Sequence, residues 1–115
     1  MDEVEAFLKK IPGISAEVIE RLPVPYIKAF KLGVKDFFVD HQLTKEALKA
    51  CSFDAAFRNF GESQQAKGRT LTLIDVFYKD RLISAEESNA MVGYLQAFND
   101  TKIREFLENI KSCEK

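Results

Sequence analysis

Apolar side chains recur in this sequence at the three- and four-residue spacing of an α-helix face, and this pattern is the strongest constraint on the fold. It is clearest near the two ends, in residues 4–11 and 103–110. An i, i+3, i+4, i+7 spacing places the apolar groups on one stripe, which must be buried against another element. The sequence therefore predicts helices that pack against one another.

Residues that start or stop helices separate these stripes at short intervals. Ser15 and Ser84 are typical N-caps, and Glu87 follows Ser84 at the spacing of a capping box. Gly33 and Gly61 come directly after apolar stripes, where glycine often ends a helix. The segments between such signals predict an all-α fold, a compact bundle of seven or eight mostly short helices.

Two segments fit the helical pattern less directly. Residues 61–69 contain no bulky apolar side chain, which predicts a mobile loop and a candidate seam between two subdomains. Residues 71–78 are apolar and partly β-branched, as in a strand, but no partner strand is evident and Asp75 interrupts the alternation. We therefore predict a helix there. A chain of 115 residues is the usual size of one domain, so we expect residues 1–115 to form a single helical domain.

The composition excludes several classes of protein. The chain has 17 Lys+Arg and 18 Asp+Glu, and a net charge of −1 gives no general attraction to nucleic acid or to an anionic membrane. No apolar run is long enough to span a bilayer, and the acidic N-terminus lacks the positive charge of a signal peptide. We therefore expect a cytoplasmic protein with no membrane partner.

The residues that most often carry enzyme chemistry are few and scattered. His41 is the single histidine, and we interpret it as a residue of a surface loop. The two cysteines are too few for a disulfide framework; Cys51 is predicted in the core and Cys113 at the exposed end of the last helix. A catalytic Cys–His pair is the enzymatic alternative, but no oriented base and no set of about four zinc ligands is evident. We expect no enzyme activity, no metal site and no cofactor.

Residues 8–22 carry one local motif, with the sequence LKKIPGISAEVIERL. The segment resembles the helix-hairpin-helix motif, which binds the nucleic-acid backbone without sequence preference. The matching residues are Leu8, Ile11, Pro12, Gly13, Ile14, Ile19 and Leu22. The resemblance implies that the turn aims backbone N–H groups and a helix N-terminus at a phosphate.

By this resemblance, Gly13, Ile14 and Ser15 would offer the backbone amides, and Lys9 and Lys10 would supply the positive charge. Two helices joined by a Pro-Gly turn for structural reasons alone would have nearly the same sequence. Both interpretations remain open at the level of the sequence.

The predicted third helix carries a stripe of basic residues in a stretch that has no acidic residue between Glu20 and Asp36. The stripe consists of Lys28, Lys31 and Lys35. Their spacing of three and four places them on one helix face. Phe37 and Phe38 are consecutive and cannot both point into the core, so Phe38 is a candidate aromatic anchor beside the lysines.

Together these features favour a non-enzymatic protein-binding module, that is, a small regulator, adaptor or inhibitor. Its partner would be a protein with an acidic surface, bound through the basic stripe and Phe38. Binding of the nucleic-acid backbone through the Pro-Gly turn is the alternative. A third class is a carrier of an apolar ligand in a cavity lined by phenylalanines. The sequence does not indicate an oligomeric state.

Overall fold

The computed structural model of the protein describes residues 3–113, and these residues form five α-helices without a β-strand. The helices are α1 (Glu3–Lys10), α2 (Ala16–Arg21), α3 (Val24–Lys49), α4 (Phe53–Lys79) and α5 (Ala85–Cys113). The all-α prediction is confirmed, and so is the helix over 71–78, which belongs to α4. The prediction of seven or eight mostly short helices is wrong, because three of the five helices are long.

The long helices build the body of the molecule, which measures 51 × 24 × 21 Å. Helices α3 and α4 form an antiparallel hairpin with the most extensive contact between any two helices described. Helix α5 packs on both of them and runs antiparallel to α4, so that Phe60 stacks on Phe106. None of the helices within residues 3–113 combines the length and the apolar composition that a membrane crossing requires.

The buried apolar side chains form two clusters. The larger cluster joins all five helices and includes Phe7 of α1, Val18 of α2, Phe37 of α3 and Phe77 of α4. The smaller cluster consists of Leu48, Ala56 and Phe106, at the end of the bundle where α3 turns into α4. The short helices α1 and α2 therefore contribute only to the larger cluster.

Gly33 lies inside α3, where the sequence predicted the end of a helix. A Cβ atom at this position would lie 2.5 Å from the Thr70 side-chain oxygen Oγ1, so the missing side chain lets α3 and α4 approach closely. Its φ is not in the left-handed region that a helix-ending glycine adopts. Packing against α4 therefore explains this glycine.

The loop predicted over residues 61–69 is wrong, because this segment is the middle of α4. Ser63 and Ala66 have no exposed surface and form the buried face of the helix, together with Thr70. The sequence analysis counted only bulky apolar side chains, and this face is made of small ones. Helix α4 runs through the candidate subdomain seam without interruption.

Two of the predicted capping interactions are confirmed. The Ser15 hydroxyl accepts a hydrogen bond from the Val18 amide at the start of α2. At the start of α5 the Ser84 hydroxyl accepts from the Glu87 amide at 3.0 Å, and the Glu87 carboxylate accepts from the Ser84 amide at 2.7 Å. This capping box also holds the pKa of Glu87 below its usual value.

The cysteines are paired, contrary to the prediction of one core thiol and one exposed thiol. A disulfide joins Cys51 to Cys113 across 62 residues of sequence, with the two Cα atoms 5.8 Å apart. Cys51 has a φ of 52°, a position usually taken by glycine, where the Ser52 amide bonds to the Ala47 carbonyl and closes α3. The disulfide therefore fastens the last turn of α5 to the turn between α3 and α4. The spacing in the sequence gave no indication of this contact.

We expect Gly33→Ala and Gly68→Ala to have opposite effects on stability. Alanine at Gly33 would collide with buried Thr70 and lower the free energy of unfolding by about 1–3 kcal/mol. Gly68 is also inside α4 but has open space around it, so alanine there should add about 0.5–1 kcal/mol through helix propensity. Urea unfolding of both variants measures the difference, and a stabilising Gly33→Ala would contradict the close helix contact.

We expect reduction of the disulfide to lower the free energy of unfolding by about 2–4 kcal/mol, because it removes a cross-link that restricts the unfolded chain. Urea unfolding with and without dithiothreitol measures this loss. The Cys51→Ser/Cys113→Ser double variant is the control and should show no response to the reductant. Identical unfolding midpoints for oxidised and reduced wild-type protein would show that the cross-link contributes nothing.

Candidate protein-binding surface

The basic stripe predicted from the sequence exists on the surface of α3. Lys28, Lys31 and Lys35 are exposed and follow one another along the helix at intervals of three and four residues. None of the three forms an ion pair with any residue in the range 3–113. Asp36, the acidic residue nearest to the stripe in the sequence, pairs with Arg69 of α4, with 3.7 Å between Oδ2 of Asp36 and Nη2 of Arg69. The stripe is therefore a row of cations without an internal counter-charge among the described residues.

Phe38, the predicted aromatic anchor, is half-buried. Its ring centroid lies 5.0 Å from that of Phe7 and 6.2 Å from that of Phe98. It thus packs between α1 and α5 at the edge of the core. A partner at the stripe would reach only the part of the ring that these contacts leave open.

An apolar groove of about 260 Å³ lies beside the stripe, between α1, α2 and α3. Its rim carries Glu5 and Lys9 on α1 and Lys31 on α3. The floor of the groove consists of Leu8, Ile14, Ile19, Leu22, Ile27 and Phe30. The sequence analysis missed this groove. Ile19 of α2 is one of the residues that line it and remains 37% exposed in the structure.

The residues of the nucleic-acid alternative lie at the hairpin between α1 and α2. Lys9 and Lys10 are on the surface, and Gly13 has a φ of 83° in the turn. One side of this turn is covered, because a Cβ on Gly13 would lie 2.9 Å from the Glu87 carbonyl oxygen of α5. Ile14 lines the apolar groove and Ser15 caps α2, as described above. Residues of this hairpin therefore pack against α5 and line the groove, and its two lysines lie on the surface.

His41 is a buried residue in the middle of α3, and its assignment to a surface loop is wrong. Its Nε2–H donates a hydrogen bond to the Asn99 side-chain oxygen of α5, at 3.1 Å. Gln64 of α4 donates to the same oxygen at 2.8 Å and accepts from the Asn99 amide nitrogen at 3.2 Å. Three helices thus meet in one hydrogen-bonded network.

Among the described residues, His41 does not take part in the Cys–His pair that was the enzymatic alternative. The hydrogen-bond partner is an amide, and the thiols of the proposed Cys–His pair are joined in the disulfide. The adjoining cavity measures about 20 Å³, which is room for one water molecule and too little for an apolar ligand. Within residues 3–113, no three His, Cys, Asp or Glu side chains converge as a metal site requires.

Burial lowers the pKa of His41 to about 4, and the hydrogen bond to Asn99 opposes this shift only in part. An unfolded histidine titrates near 6.5, so the unfolded chain binds more protons between pH 6.5 and 4. We therefore expect stability to be lost as the pH falls through this range, by on the order of 3 kcal/mol from His41. Urea unfolding across this range measures the loss.

His41→Gln is the control for this prediction, because glutamine can donate to Asn99 but does not titrate. The difference in unfolding free energy between wild type and His41→Gln removes the contribution of the carboxyl groups. Asp40 is one of them, since burial raises the pKa of its carboxyl above the usual value. A difference that does not change with pH would show that His41 is not buried in neutral form.

Comparisons of this chain with protein-family models, with curated proteins and with solved structures give no match. A proposal for its function therefore has to come from its own residues. The most distinctive surface among residues 3–113 is the row of three unpaired lysines on α3, beside the apolar groove between α1, α2 and α3.

Proposed function

We propose that this chain is a non-enzymatic protein-binding module that recognises a partner with an acidic surface. The observation that carries the proposal is the row formed by Lys28, Lys31 and Lys35, which has no counter-charge within the described part of the chain. Like charges one turn apart on a helix repel by a few tenths of a kcal/mol per pair, roughly 0.2–0.5. Acidic side chains of a partner would remove this repulsion.

A local basic row in a nearly neutral protein favours a protein partner over nucleic acid. Domains that bind nucleic acid usually carry a positive net charge, whereas this chain has a net charge of −1. A short row steers an acidic partner into one orientation and raises the rate of association. Such a module would act as a small regulator, adaptor or inhibitor.

The cytoplasmic location remains part of this proposal, and the disulfide sets a condition on it. Disulfides persist in oxidising compartments and are rare where the cytosol keeps thiols reduced. Cys51 is exposed, so reductants would reach the Cys51–Cys113 bond. In the cytoplasm the chain would therefore work mainly as the dithiol.

Binding of the nucleic-acid backbone is the second candidate. One observation favours it: α1 and α2 form a helical hairpin over the segment with the resemblance, with Gly13 in a left-handed turn and Lys9 and Lys10 on the surface. Affinity of this kind would fall steeply with salt. Lys9→Glu/Lys10→Glu would abolish it, whereas substitutions in the basic stripe would not.

We expect Lys28→Glu/Lys35→Glu to slow association with the protein partner at least tenfold and to flatten its salt dependence. The partner is captured from a lysate of the source organism with and without nuclease, identified by mass spectrometry, and its association rate is measured by surface plasmon resonance. Lys45→Glu/Arg58→Glu is the matched control, with the same change in net charge at exposed sites away from the stripe. Equal effects of both double variants would reject the stripe as the binding site, and nuclease-sensitive capture would favour the second candidate.

A further inference from the structure

We propose that the groove between α1, α2 and α3 binds an acidic amphipathic helix of the partner. Large apolar side chains of this helix enter the groove, and acidic residues along one edge meet Lys31 and its neighbours in the basic stripe. The inference rests on the proposed function, because it names the kind of segment that the basic stripe recognises.

The chemistry of the groove floor suits an apolar anchor. Leu22 and Phe30 are buried at the bottom, with 6% and 3% of their surface exposed, while Ile19 rises to 37% at the edge. All six floor side chains are aliphatic or aromatic, so a partner side chain can enter without stripping water from polar side chains. Each apolar Å² that it covers contributes about 25 cal/mol.

The size of the groove favours side chains over a free ligand. A volume of about 260 Å³ lies below the roughly 300–1,000 Å³ that small-molecule sites enclose. It has room for one or two large apolar side chains whose backbone stays outside. Such side chains, spaced one turn apart on an amphipathic helix, are the usual anchors in grooves between helices.

The charge on the rim is uneven, and this orients the partner. The α1 edge carries one acid and one base, Glu5 and Lys9. The α3 edge carries Lys31, with Lys28 and Lys35 one turn to either side. The acidic side of the bound helix therefore lies along α3, and its apolar side faces Leu22 and Phe30.

The test is a titration of the full chain, labelled with ¹⁵N, with a synthetic amphipathic helix. This probe has two leucines one turn apart on one face, glutamates on one flank and alanine elsewhere. Two matched peptides replace the leucines by serine or the glutamates by lysine. We expect the first peptide to shift the amide signals of Ile14, Ile19 and Ile27, and each matched peptide to bind at least tenfold more weakly.

Two pairs of protein variants locate the binding. Ile19→Ser should weaken binding of the leucine peptide at least fivefold, whereas Val24→Ser, at an apolar residue that is 61% exposed and does not line the groove, should not. Lys31→Glu should weaken binding at least tenfold, whereas Lys45→Glu should not. Thermal unfolding of each variant shows whether the fold is intact, and the Lys31 pair decides the matter if Ile19→Ser is unstable.

The remaining outcomes overturn the inference in distinguishable ways. If the serine peptide binds as well as the leucine peptide and depends on Lys31, the basic stripe binds acidic partners without the groove and the proposed function survives alone. If decanoate shifts the groove signals at lower concentration than the leucine peptide, the groove is a site for small apolar carboxylates. If no peptide shifts any groove or stripe signal at millimolar concentration, both the inference and the proposed function fail.

Discussion

The close approach of α3 and α4 is the contact on which the other helices depend. Gly33 on one helix and Thr70 on the other leave no room for a further carbon atom, and Ala66 and Ser63 continue this tight face along α4. A 26-residue and a 27-residue helix in such contact form a rigid platform. Helix α5 packs against both helices of the platform, and the short helix α1 packs against α3. The candidate surface lies where α1 and α2 meet α3, at the edge of the part that they cover.

Helix α5 is held in the bundle by three different interactions. Near the start of α5, Oε2 of Glu87 lies 3.3 Å from Nη2 of Arg21 in α2. In the middle of α5, Asn99 forms the hydrogen-bond network with His41 and Gln64. At its end the disulfide holds Cys113. Every buried side-chain polar atom among residues 3–113 has a hydrogen-bond partner, so the network adds no unsatisfied group to the core. Polar and covalent contacts thus set the register of a helix that apolar packing alone would hold less specifically.

The sequence was sufficient to predict the fold class, the starts of α2 and α5 and the exposed row of lysines, because these depend on local spacing and local hydrogen bonds. It failed wherever a polar or small residue makes a contact distant in sequence. The local sequence around Gly33 and Ala66 predicts a helix end and a loop, because the helices that pack against them are distant in the sequence. The burial of His41 is not evident locally for the same reason, since its hydrogen-bond partner Asn99 is 58 residues away in the sequence. The groove was missed for the same reason, since three separate helices contribute to it.

The position of the groove follows from the lengths of the helices. Helix α2 has only six residues and lies over one end of α3. Apolar residues from α1, α2 and α3 therefore form the shallow floor of a groove instead of a closed core. The outward face of α3 continues past this cover and carries Lys31 and Lys35. An apolar surface and uncompensated positive charge therefore meet on the helix that packs most closely against the rest of the bundle. A partner bound there would contact a rigid helix, so little ordering of this protein would oppose the association.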